Sequence, residues 1–196
     1  MARTKPREQR RSELLDAARE LFVTKGVAGT SMDDITRRAG VSKGLFYLYF
    51  RSKDDLIAAL QEDFAARLAQ RIAHAVAAEP EWEAKLDACV RASFDCYREL
   101  PELHEILFRH SVSRSSDADG APPHELVSGV LRDLLVAGTA AGAYDVDDPV
   151  TTAGLLYIVM HAFDPGYHGD VITTDERLIR ATTALFRRTA GVVVEG

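Results

Sequence analysis

The chain has 196 residues, 46% of them apolar and 28% charged, an ordinary globular balance that argues against a disordered chain and permits one or two buried cores. Its most apolar run, Gly154 to Phe163, is about half of the ~20 residues a membrane span requires, and no apolar stretch follows the basic start Met-Ala-Arg-Thr-Lys-Pro-Arg, so neither a membrane partner nor a signal peptide is expected. The net charge of −6 hides a division: residues 1–53 carry twelve Lys and Arg against six Asp and Glu, whereas residues 54–196 carry twelve against twenty-four. A basic head on an acidic body suits nucleic acid, because the head attracts phosphates while the body discourages indiscriminate coating of the duplex.

Turn and cap signals cut the chain into about nine helical segments, and strand-like alternation is scarce, so the expected fold is all-α. The first helix runs from about Gln9 to Lys25, with Leu14, Leu15, Ala18, Leu21 and Phe22 at helical spacing and Gly26 as its stop. Ser31-Met-Asp-Asp34 is a capping-box variant that opens a short second helix, closed by Gly40. Ser42 caps a third, about Lys43 to Tyr49. Ser52-Lys-Asp-Asp55 caps a fourth, whose pattern (Leu56, Leu60, Phe64, Leu68, Ile72, Val76) continues to about Ala78, a rod of nearly 40 Å.

Prolines divide the rest. Pro80 precedes a fifth helix, about Trp82 to Leu100, and Pro101 starts a sixth, to about Ser111. The polar, breaker-rich stretch from Ser113 to Pro123 reads as a linker. A seventh helix spans about His124 to Ala141. Asp148 with Pro149 forms an N-cap and first-position proline for an eighth, to about Ala162. Thr173-Thr-Asp-Glu176 caps a ninth, which ends near Gly191. Cys89 and Cys96 lie seven positions apart in the fifth helix, about 10 Å along its axis and too far to bridge each other. They read as reduced, buried thiols, with a redox-sensing pair as the alternative.

Residues 31–50 have helix-turn-helix logic, with Ala39-Gly40-Val41 as the turn and Ile35, Val41, Phe46 and Phe50 as a small seal. That geometry turns Ser42, Lys43 and Gly44 outward. Gly44 lets backbone approach closely, and Tyr47, Tyr49 and Lys53 offer hydroxyls and a charge to phosphates. Read alone, Leu45-Phe-Tyr-Leu-Tyr-Phe50 also fits a buried strand, but the capped helices on both sides argue for helix.

Leu15, Ala18, Leu21-Phe22, Gly26, Thr30-Ser31, Ile35, Ala39-Gly40-Val41-Ser42-Lys43-Gly44, Phe46-Tyr47, Tyr49-Phe50 and Lys53 together resemble the N-terminal signature of the TetR family of bacterial transcriptional regulators. The resemblance covers about residues 11–56, just under a quarter of the chain. It implies a three-helix DNA-binding domain, residues 1–54, and a helical ligand-binding and dimerisation domain, residues 55–196. It further implies that Lys43, Gly44, Leu45, Tyr47, Tyr49 and Lys53 contact DNA, with Ser31, Thr36 and Arg37 near the backbone; Ser42, at the outward end of the third helix, joins the expected DNA-binding set. Leu45 departs from the family's usual threonine; it can touch a thymine methyl but cannot hydrogen-bond, and Leu48 likewise offers only apolar contact. Direct base hydrogen bonds should therefore be few, with Lys43, Arg37 and DNA shape discriminating.

The body shows no motif of its own. Phe64, Trp82, Phe94, Tyr97, His104, Phe108, Tyr157 and His161 are candidate lining for a largely apolar effector site, and Tyr97, His104 and Tyr157 also supply polar tips. The same residues fit a plain core. The eighth helix (Leu155, Leu156, Ile158, Val159, Ala162) is apolar over most of its circumference, as expected of a helix buried against its own domain and a second copy. With Leu178, Ile179, Thr182, Leu185 and Phe186 of the ninth, it is the dimer surface the resemblance implies. A two-fold dimer places its heads on half-sites about 34 Å apart, so the operator should be an approximate palindrome.

The reading is thus a cytoplasmic, homodimeric repressor, released from double-stranded operator DNA by a small effector, with no cofactor, no metal and no catalytic residues. One rival is an enzyme. His161, Asp164, His168 and Asp170 form the best metal candidate, but H-E-x-x-H, G-x-S-x-G, P-loop and CxxC motifs are absent. The other is an interaction protein that keeps the fold without binding DNA. Lys53→Ala is expected to weaken DNA binding similarly on every sequence, and Lys43→Ala to change sequence preference as well. Gel shifts at fixed salt check both, and wild-type behaviour by both variants would overturn the assignment.

Overall fold

The computed structural model describes residues 6–99, 123–161 and 176–192. Among them it is all-helical, with eight helices and no strand: α1 (Arg7–Lys25), α2 (Met32–Arg38), α3 (Lys43–Tyr47), α4 (Lys53–Ala78), α5 (Trp82–Glu99), α6 (Pro123–Ala140), α7 (Pro149–His161) and α8 (Glu176–Thr189). The helix expected after Pro101, most of the linker and the Thr173 cap lie outside the described residues. Contacts divide the chain into two compact units that meet within α4, between Asp63 and Phe64.

The first unit is built on α1. Leu14, Leu15, Ala17, Ala18, Leu21 and Phe22 recur at helical spacing and are all buried, so one face of α1 is the floor of this core. Each buried Leu or Phe contributes about 1.5–3 kcal/mol through removal from water. Gly26 adopts φ 72° and returns its N–H to Phe22 O, ending the helix in a conformation that disfavours any residue with a Cβ. α1 packs on α2, and α2 on α3. Gly40, at φ 65°, makes the reversal between α2 and α3. α3 ends two residues sooner than its apolar pattern suggests. Leu48 N and Tyr49 N bond to Leu45 O and Phe46 O, three residues back, tightening the last turn.

The second unit comprises α4 from Phe64 onward with α5 to α8. α5 buries Leu86, Cys89, Val90, Ser93, Phe94, Cys96 and Tyr97. α8 packs on α5 and α7, and α6 on α7. Arg187 holds α8 to α5 by a two-pronged contact with Asp87, at 2.8 and 2.7 Å. Cys89 and Cys96 are free and buried, and burial pushes the Cys89 thiol up to about 12. None of the described helices is long and apolar enough to cross a membrane.

Tyr144 ties three parts of this unit together. Its hydroxyl donates to Trp82 O at 2.6 Å, and its ring meets the Trp82 ring edge-on at 5.7 Å. Its neighbour Asp145 donates its N–H to Ala190 O, just past α8. The ring lies over Gly138 so closely that a Cβ there would stand 2.0 Å from a ring carbon. Gly138→Ala is therefore expected to destabilise the protein by about 1–3 kcal/mol, despite alanine's better helix propensity. Tyr144→Phe, which loses one hydrogen bond, is expected to cost about 1 kcal/mol. Urea unfolding midpoints check the pair; an unchanged midpoint for Gly138→Ala would contradict this packing.

Candidate nucleic-acid interface

Two caps and one buried ring orient the helix-turn-helix. Ser31 Oγ accepts from Asp34 N at 3.1 Å, and Asp34 Oδ2 accepts from Ser31 N at 3.0 Å, a reciprocal capping box at the start of α2. Ser42 Oγ accepts from Leu45 N at 3.2 Å, capping α3. Phe46 is 0% exposed and lies 5.7 Å from the Phe50 ring, so the opposite face of α3 must look outward. Gly44 and Leu48 lie on that face; Tyr47 at its edge and Lys43, in the first turn three residues before Phe46, are exposed too. Leu45 and Tyr49 are half-buried.

The expected DNA residues fall into three groups. Lys43, Gly44 and Tyr47 stand together on the exposed surface of α3, with exposed Ser42 before them and exposed Ser31 and Arg37 on or beside α2. Leu45 and Tyr49 flank that surface, and the Arg7 guanidinium lies over the Tyr49 ring at 5.9 Å. Thr36 and Lys53 point elsewhere. Thr36 is buried and donates its hydroxyl to Asp33 O. Lys53 Nζ donates to Val27 O at 2.6 Å and Thr30 O at 2.8 Å, clasping the loop between α1 and α2. Charge-assisted bonds of this kind contribute about 1.5–3 kcal/mol, so Lys53 supports the head's fold in addition to its charge.

Two residues that the motif passes over stand out. Leu48 is 69% exposed, beside Tyr47 and one turn from the open space at Gly44. The periodicity of α3 could have shown this, since Leu48 lies well around the helix from the buried Phe46. Asp33 forms an ion pair with Lys43, 2.8 Å from Nζ to Oδ1, which holds the lysine's pKa above its ordinary value. Nothing in the residue spacing alone announces that pairing.

In the body, Phe64, Phe94 and Tyr97 are buried and Tyr157 is half-buried. Burial, and then the neighbouring Tyr157, raises the Tyr97 phenol well above its ordinary pKa. His104 and Phe108, and the side chain of His161, lie outside the described residues, as does the Asp164, His168 and Asp170 cluster. An open groove of about 830 Å³ lies elsewhere, between α4 and α5, bordered by Gln70, Arg71, His74, Asp87, Arg91 and Asp95 among others. Of the expected dimer residues, Leu155 and Ile158 are 59% and 61% exposed, and Leu185 is also exposed. Val159 and Leu178 are half-buried, whereas Ile179, Thr182 and Phe186 are buried within the chain's own core. Ala162 lies outside the described residues. Val150, outside that expected set, is exposed at the start of α7.

The capping box also predicts a pH response. Hydrogen bonds from Ser31, with Lys25 and Arg37 nearby, hold the Asp34 carboxyl below its ordinary range. The folded group therefore releases its proton more readily than the unfolded one, and its contribution to stability is complete above about pH 4. It is lost as pH falls through the lower, folded value. Asp34→Asn is expected to flatten this acid limb of the head's stability. Unfolding midpoints measured from pH 6 down to 2.5 check it, and identical acid limbs for variant and wild type would refute it.

With this geometry in place, the likenesses to known proteins are informative. Residues 14–60 match the family model for bacterial regulatory proteins of the tetR family. The HTH-type transcriptional activator FasR of Mycolicibacterium smegmatis is 34% identical over 105 residues, covering 54% of this chain and 48% of that protein. The chain thus spans about half the length of the curated relatives it matches. Over its whole length the fold is similar to a TetR-family transcriptional regulator from Pectobacterium atrosepticum, with a TM-score of 0.74, 24% identity, and coverage of 97% of this chain and 99% of that one. It is also similar to the fatty acid degradation regulator FadR from Bacillus halodurans, with a TM-score of 0.70, 18% identity, and coverage of 94% and 96%. Residues 14–60 thus carry the N-terminal module of tetR-family bacterial regulatory proteins, and the chain shares the helical fold of solved structures of that family.

Proposed function

We propose that the protein is a cytoplasmic, homodimeric transcription regulator that binds an approximately palindromic operator through residues 1–54. Residues 55–196 would bind a small, largely apolar effector and form the dimer. The observation that carries the reading is the exposed surface of α3, where Lys43, Gly44, Tyr47 and Leu48 stand clear of the core behind two side-chain caps. A cation, a phenol hydroxyl and an aliphatic side chain beside a glycine form a surface that can meet phosphates and the methyl edges of a major groove.

Leu155, Ile158 and Leu185, with Val150, are the side chains a second copy would cover, because exposed apolar residues on α7 and α8 gain most from removal from water. Tyr97 and Tyr157, the second of which helps raise the first's pKa, supply polar tips within the apolar body for an effector. A fatty-acid-like effector is one candidate class, prompted by the similar fold of a fatty acid degradation regulator. α4 belongs to both compact units, so an effector that displaces its body half would alter the spacing of two heads and release the operator. Repression by occupancy is the leading reading. Activation is the second, favoured by the likeness to a relative named an activator.

Selection of bound fragments from a random DNA pool tests the proposal. The expected product is a two-fold motif whose half-sites lie about one helical turn apart. At the position facing Leu48, replacing thymine by uracil should weaken wild-type binding roughly fivefold, about one methyl's worth of apolar burial, and leave Leu48→Ala unaffected. Failure of the wild type to enrich any sequence at modest ionic strength, with and without apolar effectors, would overturn the function.

A further inference from the structure

Asp33 and Asp34 are adjacent acids in the first turn of α2 with different employment. Asp34 is bound into the capping box, where it accepts from Ser31 N and Ser31 Oγ. Asp33 has no part in that cap. Its carboxylate reaches across the turn to α3, 2.8 Å from the ammonium of Lys43, and both side chains remain well exposed, at 59% and 57%. An acid on the face that would meet polyphosphate opposes binding by simple charge. Its placement against the first cation of α3 therefore calls for an explanation beyond the general stabilisation an acid gives a helix start.

Resting on the DNA-binding reading, we propose that Asp33 is a positioning residue for sequence discrimination: its ion pair aims Lys43 along the turn-facing side of α3 and withholds it from indiscriminate phosphate contact. An exposed pair is weak and is screened by salt, so it biases the lysine without locking it. On non-operator DNA, where affinity is almost wholly electrostatic, Lys43 can gain a phosphate only by abandoning Asp33 and leaving a bare carboxylate beside the duplex. That carboxylate recruits a cation from solution, which offsets the counterion the phosphate releases. On the operator, contacts by the rest of α3 fix the register, and Lys43 can serve with the pair intact. The pair thus penalises the wrong DNA more than the right DNA, a discrimination achieved by a repulsive element.

The test compares wild type, Asp33→Asn, Asp33→Glu, Lys43→Met and the double variant Asp33→Asn with Lys43→Met. Each is titrated against the selected operator and against a scrambled duplex of equal length over a range of salt. Unfolding midpoints accompany the titrations. Asp33→Asn is expected to bind scrambled DNA more tightly, to lower the operator-to-scrambled ratio about three- to fivefold, and to steepen the salt slope on scrambled DNA by about one. Asp33→Glu, which can still reach Lys43, should retain most of the wild-type ratio. In the Lys43→Met background the asparagine should have no effect on the ratio. A purely helix-stabilising Asp33 would shift the unfolding midpoint and leave the ratio and slope alone, and that result overturns the proposal. So does an equal change in the Lys43→Met background, which would show general charge repulsion in place of a directed pair. If the wild type selects an operator and Asp33→Asn matches it in both readouts, only this inference falls. If the wild type selects no DNA, the functional reading falls with it.

Discussion

The burial of Phe46 decides which way α3 faces. A five-residue helix holds barely one hydrogen-bonded turn, and so short a segment does not persist on its own, because nucleation costs more backbone entropy than its few bonds return. Two things keep it formed: the Ser42 cap at one end, and a fully buried aromatic ring that takes the helix's inner side out of water. Once that ring is fixed, the geometry of 3.6 residues per turn turns Gly44 and Leu48 to the outside with Tyr47 at the edge, while Lys43 is exposed at the helix's first position. The candidate interface is thus the remainder left by core packing.

Charge in the head is redistributed by the fold. Counted along the chain, the first 53 residues hold a surplus of six positive charges. In three dimensions several of those cations are already engaged. Arg38 pairs with Glu20, Arg19 with Asp16 and Asp63, Lys43 with Asp33, and Lys53 with two backbone carbonyls. Arg7 and Arg11 lie over the Tyr49 and Phe50 rings. Exposed pairs of this sort exchange readily for phosphate, so the surplus remains available, but the fold sets the order in which it can be drawn upon. Lys53, tied into the α1–α2 loop, is the cation most committed to structure.

The body follows a different logic. Its helices are joined at their ends by a few specific contacts, with Tyr144 bonded to Trp82, Asp145 to Ala190, and Arg187 to Asp87. Their sides are apolar. α7 buries Ala153, Leu156 and Met160 while leaving Val150, Leu155 and Ile158 in solvent, so it is apolar on faces that a single chain does not cover. α8 is more nearly amphipathic, with Ile179, Thr182 and Phe186 turned to the chain's own core and Arg177, Arg180 and Arg188 exposed. An apolar residue on α8 is therefore a poor guide to what faces a partner.

Sequence by itself determined the local features. Caps at Ser31, Ser42, Ser52 and Asp148, stops at Gly26 and Gly40, and the apolar spacing of α1 and α4 are interactions among residues a few positions apart, so their signatures survive in one dimension. The all-helical class and the family of the head were legible for the same reason. Tertiary structure alone decided what depends on distant partners: that Lys53 clasps a loop, that Thr36 is closed off, that Asp33 holds Lys43, and that Gly138 exists to admit Tyr144. Those outcomes follow from which side chains meet across a turn or between helices, and a side chain's chemistry says what it can bind without saying which neighbour will reach it first.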